Sequence, residues 1–211
     1  MHRVLALAIA FAALLGLTAC PRSPVCVEGT CTCPAGAACA MPCQAPPCRA
    51  VCEGDNPTCE ATCANSTCTC GTRASCDFSC GAGPCHVSCQ GDNPACSGAC
   101  SNGTCTCGPG ATCSFECAAG PCHVTCQGDN PSCDGVCANG TCACAAGSTC
   151  RFACKDSNCH VQCPTGAKCR LDCPDGNAGS AQCRLDECAA GTPEICTGGK
   201  AVVCGMACPT S

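Results

Sequence analysis

Tryptophan and tyrosine are absent from this chain of 211 residues, and only four phenylalanines occur, one of them in the N-terminal apolar stretch. A chain of this length without aromatics cannot assemble an ordinary aromatic and aliphatic core, so covalent staples must replace it. The same absence removes any stacking platform for bases, and it argues against sugar sites that stack pyranose rings on Trp or Tyr. Charge is scarce as well. Only 12% of residues are charged and the formal net charge is −5. A sparse, net-negative chain speaks against nucleic acid as a partner.

Cysteine fills the gap, with 39 residues, most of them in register every 37 positions. The first complete copy, 48–84, holds Cys48, Cys52, Cys59, Cys63, Cys68, Cys70, Cys76 and Cys80. The second, 85–121, repeats all eight offsets with Cys85, Cys89, Cys96, Cys100, Cys105, Cys107, Cys113 and Cys117. The third, 122–158, does so with Cys122, Cys126, Cys133, Cys137, Cys142, Cys144, Cys150 and Cys154. Self-similarity at this period is the signature of a solenoid, in which each unit buries its inner face against its neighbours.

The N-terminus predicts export. His2-Arg3 precede an apolar run from Val4 to Leu17, shorter than the roughly 20 residues of a membrane span, which reads as a secretory signal over 1–19. Leu17-Thr18-Ala19-Cys20 resembles the bacterial lipobox, which implies lipidation of Cys20 and a short tether over 20–25. An ordinary signal-peptidase site after Ala19 is the alternative. Cysteine parity sides with the lipobox: withdrawing Cys20 from the 39 leaves 38, enough for nineteen bridges. In an exported chain such a set reads as a disulfide framework.

Within the repeat, the segments at 85–89, 104–107 and 113–117 alternate, so that Cys, Val and Phe share one face while His, Ser, Thr and Glu share the other. Period two is the strand signal, and Gly, Asn-Pro and Gly-Pro close every segment. Residues four apart on a strand lie about 13 Å apart, beyond the reach of a disulfide, so the bridges must join different strands. Four strand segments per 37 residues predict a two-sided parallel β-solenoid with two strands per coil of about 18 residues. Bridges between coils and bridges across the interior are equally compatible with it. Val51, Val87, Val124 and Val161 are expected to form one internal file, and Met41, Phe78, Phe115 and Phe152 another.

The array is expected to run over 26–173, with partial copies at both ends acting as caps. From Pro174 the spacing is lost. Thr197-Gly198-Gly199-Lys200 precedes Ala201-Val202-Val203 as a hairpin turn, and 174–211 reads as a disulfide-pinned cap.

The motifs with chemical potential each have a structural reading. Cys-Thr-Cys at Cys31/Cys33, Cys68/Cys70 and Cys105/Cys107 resembles metallothioneins, where thiolates hold zinc or copper(I), but an export signal and strand periodicity favour disulfides. His86, His123 and His160 recur at one offset, about 10 Å apart, too far to share an ion. Gly-Asp-Asn-Pro at 54–57, 91–94 and 128–131 is similar to calcium turns in β-roll repeats, yet one carboxylate per turn is thin for that ion. Thr67/Thr69 and Thr104/Thr106 resemble the T-x-T rows of insect β-helical antifreeze proteins, although the pair recurs only once per repeat. Asn65, Asn102 and Asn139 read as turn residues. No nucleophile constellation is distinctive, no cofactor is implied, and the thiol-exchange spacing C-x-x-C is absent from the repeats.

With its C-x-V-x-C, C-x-F-x-C and G-x-C-x-C segments, the exported chain resembles the cysteine-rich repeat lipoproteins of bacteria. The resemblance implies a lipid-anchored protein of the bacterial envelope, at the outer membrane or cell surface, whose one stated partner is the membrane. The expectation is a non-catalytic structural or adhesion module. The alternatives are an extracytoplasmic metal-sequestering thiolate protein and an ice- or ligand-binding solenoid.

Overall fold

In a computed structural model, the described residues are 23–43, 48–63, 65–80, 84–100, 102–117, 122–129, 131–138, 140–155, 158–174, 176–188 and 191–210. The expected signal segment and Cys20 lie outside them. The chain forms two ten-stranded sheets and winds between them strand by strand. Sheet A contains β1 (Val25–Val27), β2 (Thr30–Cys33), β4 (Arg49–Cys52), β6 (Thr67–Cys70), β8 (His86–Cys89), β10 (Thr104–Cys107), β12 (His123–Cys126), β14 (Thr141–Ala143), β16 (Cys159–Gln162) and β18 (Cys183–Asp186). Sheet B contains β3 (Ala38–Cys43), β5 (Thr58–Cys63), β7 (Ser75–Ser79), β9 (Ala95–Ala99), β11 (Thr112–Glu116), β13 (Ser132–Cys137), β15 (Thr149–Cys154), β17 (Lys168–Asp172), β19 (Glu194–Ile195) and β20 (Ala201–Cys204).

The result is the parallel, disulfide-rich β-solenoid that the sequence predicts, two strands to a coil. Its coils are not uniform. Strands of sheet A start 18 and 19 residues apart in alternation as far as His160, as from Arg49 to Thr67 to His86, and the last parallel step, to Arg184, is 24. In sheet B the steps are 17 and 20, as from Thr58 to Ser75 to Ala95. The longer step of sheet B contains the Gly-Asp-Asn-Pro turn, where Gly54 and Gly91 have φ of 109° and 108° and Asn56 and Asn93 have φ of 55° and 52°. Glycine and asparagine are the residues that adopt the left-handed region at least cost. These turns also clip coils together: the Arg73 amide donates to the Asp92 carbonyl at 2.8 Å and the Gly110 amide to the Asp129 carbonyl at 3.1 Å.

Burial follows strand parity. β7 and β11 alternate exposed and buried along their whole length, with Cys76 and Phe78, Cys113 and Phe115 inward. One internal file of sheet B runs Met41, Ala61, Phe78, Gly98, Phe115, Gly135, Phe152, Leu171 and Val202. Large and small residues thus alternate coil by coil, and the phenylalanines stand two coils apart. A Cβ at Gly98 would collide with the Phe78 carbonyl oxygen, and one at Gly135 with that of Phe115. The absent side chains leave room for the rings above and below, which are 1% exposed.

The expected valine file needs a correction. Val87, Val124 and Val161 share a file, alternating with Cys68, Cys105 and Cys142. In the first copy, however, the inward position belongs to Ala50, paired with Cys31 and Cys68, whereas Val51 aligns with Thr32 and Thr69 in the outward row, where it is nonetheless covered and only 7% exposed. Position within the strand, rather than residue type, decides which side faces in.

Both ends are closed asymmetrically. At the N-terminal end β1 pairs antiparallel with β2, covering sheet A and leaving β3 as the edge of sheet B. Pro42 lies within that edge strand, where a missing amide discourages further pairing. At the other end β20 pairs antiparallel with both β17 and β19, and the turn at 197–200 is the expected hairpin connection. The parallel array runs past the expected boundary at 173, because β18 still pairs parallel with β16.

Candidate functional site: the cysteine columns and the outer faces

All thirty-eight cysteines among the described residues are paired, in nineteen disulfides. The sequence left two geometries open, and the structure takes the one across the interior. At or just after the end of each body strand, a cysteine bridges to one at or near the start of the next strand, on the opposite sheet. Eight bridges form a column along one edge of the interior, from Cys33–Cys39 through Cys52–Cys59, Cys70–Cys76, Cys89–Cys96, Cys107–Cys113, Cys126–Cys133 and Cys144–Cys150 to Cys163–Cys169. Eight more line the other edge, from Cys43–Cys48 through Cys63–Cys68, Cys80–Cys85, Cys100–Cys105, Cys117–Cys122, Cys137–Cys142 and Cys154–Cys159 to Cys173–Cys183.

The register explains why these columns are continuous. In sheet B, Cys39, Cys59, Cys76, Cys96, Cys113, Cys133, Cys150, Cys169 and Cys204 follow one another at paired positions of adjacent strands. Neighbouring coils are about 4.8 Å apart, so each bridge packs directly on the next. The file of sulfurs with the Val/Ala and Phe/Gly files between them fills the interior, standing where an aromatic core would be. Three further bridges pin the ends: Cys26–Cys31 in the β1–β2 hairpin, and Cys188–Cys204 and Cys196–Cys208 around β20.

The sequence singled out several groups for metal, and the geometry distributes them differently. The sulfurs of Cys33, Cys52 and Cys59 lie within 4.8 Å of one another, as do those of Cys126, Cys133 and Cys150. Each trio contains one complete bridge and half of its neighbour, so thiolate ligation there would require opening two disulfides. Asp55 of the first Gly-Asp-Asn-Pro turn pairs with Arg73 at 2.6 Å. Asn65 and Asn102 adopt φ of 52° and 51° in their turns, and Asn139 lies outside the described residues.

The two outer faces differ sharply. On sheet A one outward row reads Thr30, Arg49, Thr67, His86, Thr104, His123, Thr141, His160 and Arg184. The T-x-T pairs occupy every second strand, with Arg49/Val51, His86/Ser88 and His123/Thr125 between them. His160 and Arg184 both pair with Asp186, at 3.1 and 2.8 Å. The sequence indicated the histidines but not their company. Arg49 shares their offset and was open to recognition, whereas Arg184 lies beyond the loss of spacing and is found only through the Cys159–Cys183 register.

On sheet B an outward row runs Ala40, Glu60, Asp77, Ser97, Ser114, Asp134, Arg151 and Arg170. It is acidic towards the N-terminal end and basic towards the other. Shallow open depressions lie on this face, of about 350 Å³ beside Glu60 and Asp77 and about 370 Å³ beside Ser97 and Ser114. Large exposed hydrophobic residues among those described are confined to the capping strands: Val25, Val27 and Ile195.

The framework itself fixes the compartment. Nineteen disulfides need an oxidising environment, which places the chain outside the cytoplasm. Comparison with protein-family models, with curated proteins and with solved structures gives no match.

Proposed function

We propose that this chain is a lipid-anchored, non-catalytic module of the bacterial envelope, a stiff spacer or adhesion element held to the membrane through Cys20. The observation that carries the reading is that thirty-eight cysteines pair entirely among themselves, so that the framework closes without Cys20. Val25 and Val27, five and seven residues beyond Cys20, are 58% and 63% exposed, which suits a capping strand resting near a bilayer. Nine spacings across ten strands of sheet A give a body about 43 Å long. Two bridges per coil resist the bending and local opening to which a repeat array is otherwise prone.

The test is fractionation of a bacterium expressing the full chain, with mass analysis of the mature N-terminus. The expected result is a membrane-bound chain beginning at a diacylglyceryl Cys20, released into the soluble fraction by Cys20→Ala with its bridges unchanged. A wild-type chain that is soluble, or cleaved elsewhere, contradicts the anchor.

A further inference from the structure

We propose that the outer face of sheet A is a binding strip for a linear acidic polysaccharide. This names a partner class for the adhesion reading above and rests on it for its cellular meaning. The row containing Arg49, His86, His123, His160 and Arg184 places a basic side chain on every second strand from β4 to β16 and again on β18. The strip is about 34 Å long, with a basic group roughly every 10 Å. Between them, Thr67, Thr104 and Thr141 present hydroxyls, which both donate and accept hydrogen bonds as sugar hydroxyls do.

The charges around each histidine are few. His86 is flanked by β6 and β10, whose outward residues are all threonine. His123 is flanked by β10 and β14, which add Thr104 and Thr141 and no charge. His160 is flanked by Thr141 and Arg184 and touches Asp186, the one carboxylate of the face, whose oxygens are already engaged by His160 and Arg184. The nearest other acids, Glu28, Glu53 and Glu187, stand in turns beyond the strand ends. The acids of sheet B, Glu60, Asp77, Glu116, Asp134, Asp172 and Glu194, belong to the opposite side of the solenoid. Packed sheets are about 10 Å apart, close to a Debye length at physiological salt, so the two faces act separately.

The chemistry of the face selects among polyanions. Nucleic acid is disfavoured because Phe78, Phe115 and Phe152 are sealed in the interior, leaving nothing for bases to stack on. A protein partner is disfavoured because the strip lacks the aromatic or apolar anchors on which such interfaces depend. A regular chain of carboxylated sugars needs neither. Imidazoles gain charge between neutral and mildly acidic pH, so attraction to such a chain strengthens as pH falls and weakens with salt.

The experiment measures binding of the exported chain, purified without reductant, to polygalacturonate at about 0.15 M salt, where the two faces are screened from each other, with neutral dextran and single-stranded DNA as comparators. Polygalacturonate is expected to bind about fivefold tighter near pH 5.5 than near pH 7.5, the combined effect of two exposed ion pairs at His86 and His123, since His160 is engaged with Asp186. His86→Gln/His123→Gln/His160→Gln should remove that pH difference, and Arg49→Gln/Arg184→Gln should weaken binding at both pH values. Lys168→Gln/Arg170→Gln on sheet B should change nothing. No binding to polygalacturonate, DNA binding of equal strength, a pH difference that survives the histidine changes, or loss through the sheet B variant would each overturn the strip. Fractionation decides the anchor and this assay decides the strip, so either can fail while the other holds.

Discussion

In the repeat body each bridge joins cysteines that are consecutive in the chain, closing loops of five to seven residues, or ten at Cys173–Cys183. In the cap the pairs interlace instead, Cys188–Cys204 across sixteen residues and Cys196–Cys208 across twelve. The body can afford small, repetitive links because its register is already set by parallel pairing on both sides of every strand. The cap must reverse chain direction, cover the edge of β17 with the antiparallel β20, and hold that reversal without a neighbouring coil. Longer, crossed loops accomplish this, and Val202 and Val203, each 1% exposed, supply the aliphatic packing.

This contrast can be broken or sharpened by substitutions compared in oxidised chains by guanidinium unfolding without reductant. The largest effect is expected from replacing Cys188, Cys196, Cys204 and Cys208 together by serine. The two loop lengths imply a loss of about 6 kcal/mol on the chain-entropy account, with the freed edge of β17 promoting association between chains. Phe115→Ala should follow. Its ring fills space that Gly98 and Gly135 cannot, so the void should cost about 4 kcal/mol. Removing one body bridge with Cys107→Ser/Cys113→Ser should cost only about 2 kcal/mol, because the loop is short. If this double change proves as damaging as loss of both cap bridges, the body depends on its links and not on its register. Arg73→Ala, which removes the exposed Asp55 ion pair, should shift stability by about 0.5 kcal/mol or less.

Much of the fold was legible because two independent periodicities agreed. The 37-residue recurrence of cysteine gave the repeat, and the alternation in segments such as 113–117 gave the strand, leaving two strands per coil as the consistent solution. Connectivity was not legible. Cysteines such as Cys52, Cys59 and Cys70 are all neighbours in space, and one spacing serves either a rung across the interior or a link along the stack. Val51 misled because a valine was taken as the marker of the inner file when the count along the strand pointed to Ala50. The uneven coil steps were hidden for a related reason: they cancel over 37 residues, so the repeat reports only their sum.

The outer faces were less legible than the interior. A buried file is constrained at every coil and leaves a pattern in composition, whereas a surface row emerges only when register aligns residues 18 or 19 apart. The three histidines share an offset and were visible as a set. That threonine hydroxyls separate them, and that Arg184 extends their row, follows from strand pairing alone.

The central claim is that two columns of bridges crossing the interior hold the solenoid. Mass mapping of peptides from the unreduced, alkylated chain tests it most directly. The expected outcome is seventeen bridges between consecutive cysteines, two interlaced bridges in the cap, and no alkylated thiol between Cys26 and Cys208. Bridges between register partners of one sheet, such as Cys52–Cys70 or Cys59–Cys76, or a substantial share of alkylated thiols, would contradict it.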